Sequence, residues 1–124
     1  MPLKQIRIEL ARDHDYPNGS HMCGYEFVAP LDETGHMDAE EWKKNREKCS
    51  VTRFWEGEKP ELGHLIRKPG GSWAFHYDIF GDEDDDETGY RFSREKFVTG
   101  EYVSINEHDD KMRTFKVVSV LPLV

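Results

Sequence analysis

The segment Trp73-Ala74-Phe75-His76-Tyr77-Asp78-Ile79 carries a ring or a branched aliphatic at every second position. A period of two sorts side chains onto opposite faces of a pleated strand. Trp73, Phe75, Tyr77 and Ile79 are therefore expected to face a dry interior, with Ala74, His76 and Asp78 behind them. A chain organised around such a strand must supply neighbours that pair with it and cover its aromatic face.

Those neighbours are legible on both sides. Residues 5–10 alternate with Ile6, Ile8 and Leu10 inward, and residues 24–29 with Tyr25, Phe27 and Ala29 inward, until Pro30 removes a ladder donor. Residues 50–55 and 62–67 are rich in branched and aromatic side chains and read as the third and fourth strands. The fifth strand spans 71–80, the sixth 90–93, the seventh 101–106 and the last 112–121. The stretch 12–23 reads as a long connection because Pro17-Asn18-Gly19-Ser20 is turn chemistry, and 93–99 as a short turn or single helical turn.

Two registers follow from the loops. Pro69-Gly70-Gly71 fits a three-residue hairpin loop, which pairs Arg67 with Trp73, Leu65 with Phe75 and His64 with His76. A turn at Asp109-Asp110-Lys111 pairs Ile105 with Phe115, Val103 with Val117 and Glu107 with Arg113. Val118 and Val120 fall on the opposite face from Phe115 and Val117, which predicts a bulge or a strand covered on both sides, and leaves those valines free to meet another subunit.

One helix is signposted over 39–48. Asp38 can cap it, Glu41 completes a capping box, and Lys43, Lys44, Arg46 and Lys48 suit its C-terminal dipole. With little besides Ala39 and Trp42 to bury, it reads as a plug on the end of a sheet. The expected fold is mainly β: an antiparallel β-barrel or strongly curled sheet of about seven or eight strands with one capping helix, in a single domain over 1–124. An open α+β sheet is the alternative.

Composition narrows the function classes. The net charge is −8, and the six acids from Asp82 to Glu87 leave the rest of the chain at −2. That balance disfavours a nucleic-acid partner unless positive charge is segregated. No apolar run approaches the roughly 20 residues that span a bilayer. Two cysteines without CxxC spacing, and no secretory leader, lead to the expectation of a cytoplasmic protein with free thiols. Nucleophile elbow, P-loop and dinucleotide fingerprint are absent from the sequence.

Four constellations carry chemistry. His64, His76 and Asp78 would share the outer face of the central hairpin, a donor set for a divalent transition metal and so for a metal-dependent enzyme. Asp13, His14, Asp15, His21 and Cys23 are metal-ligating types on a connection that leaves their geometry free, and a solvated loop ending in a buried Cys23 is the better account. Asp82, Asp84 and Asp86 occupy the first, third and fifth positions of a calcium loop, but Glu87 stands where glycine is required and Ser93 where a bidentate glutamate belongs, so a solvated hairpin tip is the better account. Arg53, Trp55, Arg67, Lys68, Trp73 and Arg91 could stack a single-stranded nucleic acid, provided Trp73 faces outward. The leading expectation is a binding module for a protein partner or small ligand, with Trp55, Trp73 and Tyr77 at the barrel mouth.

Overall fold

The computed structural model describes residues 3–69, 71–77, 87–89, 94–107 and 111–123. Its strands are β1 (Leu3–Leu10), β2 (Ser20–Pro30), β3 (Ser50–Phe54), β4 (Glu61–Arg67), β5 (Trp73–Tyr77), β6 (Glu87–Gly89), β7 (Tyr102–Asn106) and β8 (Met112–Pro122). They run antiparallel in sequence order around a closed barrel, with β1 hydrogen-bonded to β8. The expected mainly β architecture is observed, and closure excludes the open α+β sheet. Among the described residues β6 pairs through two residues with each neighbour.

Alternation fills the interior as the sequence implied. Ile6, Ile8, Tyr25, Phe27, Val51, Leu65, Phe75, Val103, Ile105, Phe115 and Val117 are all essentially inaccessible. Tyr25 and Phe27 each lie 5.1 Å from Phe75, and Tyr25 lies 5.2 Å from Phe115, ring centre to ring centre. These tilted and edge-on contacts are the geometry aromatic quadrupoles favour, so a few large rings do the packing that many aliphatics would otherwise do.

The central hairpin has the register its loop implied: Arg67 opposite Trp73, Leu65 opposite Phe75 and His64 opposite His76. Lys68 N–H donates to Ser72 O at 2.8 Å and Gly71 adopts φ 92°, the left-handed residue such a loop needs. The β7–β8 hairpin differs. Val103 pairs with Phe115 and Ile105 with Arg113, two residues away from the expected register, because Glu107 N–H bonds Lys111 O and the turn falls one position earlier than expected. A slip of two preserves every facing, so the same side chains remain inward.

One strand boundary also departs from expectation. β2 begins at Ser20, since Leu10 pairs with Ser20 and Glu9 with Gly24, which leaves residues 21–23 as an irregularity inside the strand. The sixth strand is Glu87–Gly89, while 90–93 and the end of the expected fifth strand lie outside the described residues. Residues 94–99 hold turns and no helix, the first of the two forms expected there, and Phe97 is buried against Phe27. The expected bulge in the last strand is present: Ile8 pairs with Val117 and Arg7 with Ser119, so Val118 is the extra residue. Beyond it Val120 pairs with Ile6 and packs against the core, which removes it from the suggested subunit-facing surface.

The helix α1 (Ala39–Lys44) is capped by Asp38, whose carboxylate accepts from Glu40 and Glu41 N–H. It ends earlier than expected because Asn45 leaves helical geometry at φ −129°, its side-chain amide donating back to Glu41 O, and Arg46–Lys48 continue as a 3-10 turn. Trp42 is the buried residue of α1. Its indole N–H donates to Leu65 O at 3.0 Å and its ring meets Trp73 edge-on at 5.5 Å, so α1 closes the barrel end where β4 finishes and β5 starts.

Two glycines permit the strands to approach. A Cβ on Gly24 would lie 2.1 Å from Ile8 O, and one on Gly63 would lie 2.1 Å from His76 O. Backbone stands in the way in both cases, so neither site can relax by moving a side chain. Gly24→Ala and Gly63→Ala are each expected to lower stability by about 1–3 kcal/mol or more, the cost of overpacking, read as a lower urea midpoint; an unchanged midpoint would remove the steric argument.

Candidate functional site

The two barrel ends are built from different chemistry. At the end opposite α1, Arg53 and Arg113 project inward from β3 and β8 and are 5% and 7% exposed, with Glu107 at 3% between them. Glu107 receives the Tyr25 hydroxyl at 2.5 Å, Arg53 Nη2 at 3.4 Å and Arg113 Nε as an ion pair at 2.9 Å. Asp13 and Asp15 reach Arg113 from the β1–β2 connection, Asp15 at 3.2 Å, while Lys111 approaches Asp15 at 3.5 Å. Trp55 lies under both guanidiniums, 4.3 Å from Arg53 and 5.4 Å from Arg113, with Tyr16 edge-on at 6.1 Å.

Buried charges of this kind are stable only when each is paired, and here two cations alternate with carboxylates across one mouth. Arg113 holds the Asp15 carboxyl below 3.8, through its hydrogen bond first and Lys111 second. Sequence reading found one part of this network, the Glu107 and Arg113 pair, and missed the rest. Arg53 and Arg113 stand at inward positions of alternating strands, and that was the available signal.

The expected three-residue pocket is divided. Trp73, 2% exposed, sits against Trp42 at the α1 end, whereas Trp55 lies half-buried at the opposite mouth. Tyr77 is buried four positions from Trp73 on the same face of β5, roughly 13 Å away at the rise of a strand. Packed rings of Phe75 and its neighbours occupy the space between.

Of the proposed metal ligands, His64 and His76 are brought side by side on the outer wall, both half-buried, and Asp78 lies outside the described residues. The second set is not gathered: Asp13 and Asp15 go to Arg113, His14 and His21 are exposed, and Cys23 is buried. Among the described residues no three His, Cys, Asp or Glu side chains are grouped to hold a metal ion. The acidic run 82–86 lies outside the described residues. Burial alone pushes the Cys49 thiol up to about 11, which removes it as a nucleophile near neutral pH. No helix is long and apolar enough to cross a membrane among the described residues.

The nucleic-acid set does not form a common outer face, because Arg53 and Trp73 are buried and Arg91 lies outside the described residues. Two of its members, Arg67 and Trp73, nevertheless help to build a groove at the α1 end. A groove of about 440 Å³ between the α1 region and β4 is lined by Trp42, Arg46, Glu47, His64, Leu65, Ile66 and Arg67. Arg46 lies 4.8 Å over Trp42 and Arg67 5.4 Å over Trp73, so two exposed guanidiniums are parked on two indoles that touch each other. A second groove of about 330 Å³ follows Lys43 to Lys48 and shares Arg46 and Glu47 with the first.

No family model, curated protein or solved structure matches this chain.

The charged mouth generates two expectations. Glu107→Ala removes the buried carboxylate that two buried guanidiniums share and is expected to cost about 3–5 kcal/mol, measured by urea unfolding. Because the Asp15 pKa is depressed in the folded state, its stabilisation is in place above about pH 4 and is lost as the pH falls through the depressed value. Urea midpoints are therefore expected to drop below about pH 4, and Asp15→Asn to flatten part of that drop.

Proposed function

We propose that this chain is a binding module that takes its protein partner or small ligand on the outside of a filled barrel, in the groove between α1 and β4. The observation that carries the reading is the pair of stacked cations. Arg46 and Arg67 are exposed, yet each has a surface to rest on, so they present charge with less rotamer freedom to lose than a free surface arginine. Ile66 gives the groove an apolar surface, and its volume lies in the range of small-ligand sites.

The interior supports this choice of location by offering little room. Rings occupy its middle, Trp42 plugs one end and the Arg53–Glu107–Arg113 network fills the other. Trp73 then belongs to the site as the support beneath Arg67, and Trp55 and Tyr77 belong to the barrel's own packing.

A metal-dependent reaction is the competing reading, and the register of His64 against His76 is the observation in its favour. Two imidazoles leave a transition metal short of the three protein ligands usual in a catalytic site, so a third donor would be needed.

Amide correlation spectra recorded while small anionic and aromatic fragments are added would test the reading. Shifts are expected to cluster on residues 42–48 and 64–67, and shifts confined to other surfaces would overturn it. Zinc separates the alternatives: the binding-module reading expects an unchanged melting temperature, and a rise abolished by His76→Ala would establish the metal site instead.

A further inference from the structure

From the two connected grooves we infer that the partner is an acidic peptide segment lying across β4 and the 3-10 turn; this rests on the binding reading above. The argument begins with charge. The whole chain carries −8, but the groove surface concentrates cations: Arg46 and Arg67 line the first groove, and Lys43, Lys44, Arg46 and Lys48 line the second. Lys43 and Lys44 are engaged by Glu40 and Glu41 at 3.8 and 3.7 Å, which leaves Arg46, Lys48 and Arg67 against Glu47 along the track. A basic strip on a net acidic protein attracts anions at short range while the rest of the surface repels them, which favours a partner able to seat its carboxylates in that strip.

Shape selects a chain over a compact ligand. Arg46 and Glu47 line both grooves, so a chain that crosses these two residues reaches from the β4 wall to the end of α1, farther than either groove alone. An extended segment can put one carboxylate on each guanidinium in a forked pair and lay an aliphatic side chain on Ile66 between them.

The rings argue against nucleic acid as the occupant. Stacking of bases requires an open aromatic face. Trp42 and Trp73 are 6% and 2% exposed, a guanidinium lies over each, and each abuts the other edge-on. The indoles here hold arginines in place and have no face left for a base.

Fluorescence anisotropy of a labelled peptide of alternating Glu and Leu, titrated with the full chain, tests this. Binding is expected to weaken as salt is raised. The double variant Arg46→Gln/Arg67→Gln is expected to bind about tenfold more weakly, as the loss of two partly exposed ion pairs implies. Glu47→Gln, which removes the opposing carboxylate from an exposed position, is expected to bind more tightly, and circular dichroism checks that both variants are folded. Equal binding of the Gln-for-Glu peptide, tighter binding of a single-stranded oligonucleotide, or full binding by the folded double variant would overturn the acidic-peptide assignment. So would salt-sensitive self-association lost in the double variant, which would give the groove to the Asp82–Glu87 run of a second copy. Fragment shifts on 42–48 and 64–67 without peptide binding would leave the groove standing and reject this ligand class alone.

Discussion

The pairing of the first strand with the last is the constraint on which the rest of this molecule depends. Once β1 bonds β8, every inward side chain is committed to one enclosed volume, and closure itself removes the outermost free edges. Closure also demands local departures from a regular ladder. Val118 is extruded between Arg7 and Ile8 of the neighbouring strand, residues 21–23 depart from the β1–β2 register, and Gly24 and Gly63 let backbones come closer than a Cβ allows. Tyr25, Phe27, Phe75 and Phe115 then interlock at about 5 Å because there is nowhere else for them to turn.

A barrel this small has two ends to seal, and the chain solves them differently. At one end Trp42 brings apolar area and a single donor, which Leu65 O accepts. At the other, two arginines arrive on inward positions and must be neutralised, so Glu107, Asp13 and Asp15 converge on them, and the Tyr25 hydroxyl donates to Glu107. An ion network adds less net stability than a hydrophobic plug of equal volume, but removing one partner is expensive. The β1–β2 connection is therefore held down by charge, through Asp13 and Asp15, as well as by the Tyr16 contact with Trp55.

The sequence made the strands and the central hairpin readable because alternation and a Pro-Gly-Gly loop are local signals. Arg67 opposite Trp73 and His64 opposite His76 needed nothing beyond the loop length. The β7–β8 register was two residues off because a turn placed one position either way gives plausible cross-strand pairs, and parity cannot distinguish registers that differ by two. The helix was overextended because Lys43 to Lys48 look helical by composition, while the stop comes from the Asn45 amide turning back to Glu41 O. Phe97, buried from a stretch with no alternation, was illegible because its burial is set by partners far along the chain, whereas Arg53 stood at an inward position whose partner, Glu107, is equally distant.

The groove was invisible to sequence for the same reason, although its residues were not. Arg67 over Trp73 was anticipated from register, and the basic content of 43–48 from composition. What joins them is the Trp42–Trp73 contact, made when α1 docks on the barrel end. That contact has a dual consequence. It closes the core and, on the solvent side, it gives two guanidiniums adjoining platforms. Any force that loosens α1 would separate the platforms before it unravelled the ring of strands, so recognition in the groove depends on the helix-end packing more directly than on the barrel itself. The plug and the binding surface are the inner and outer sides of one pair of indoles.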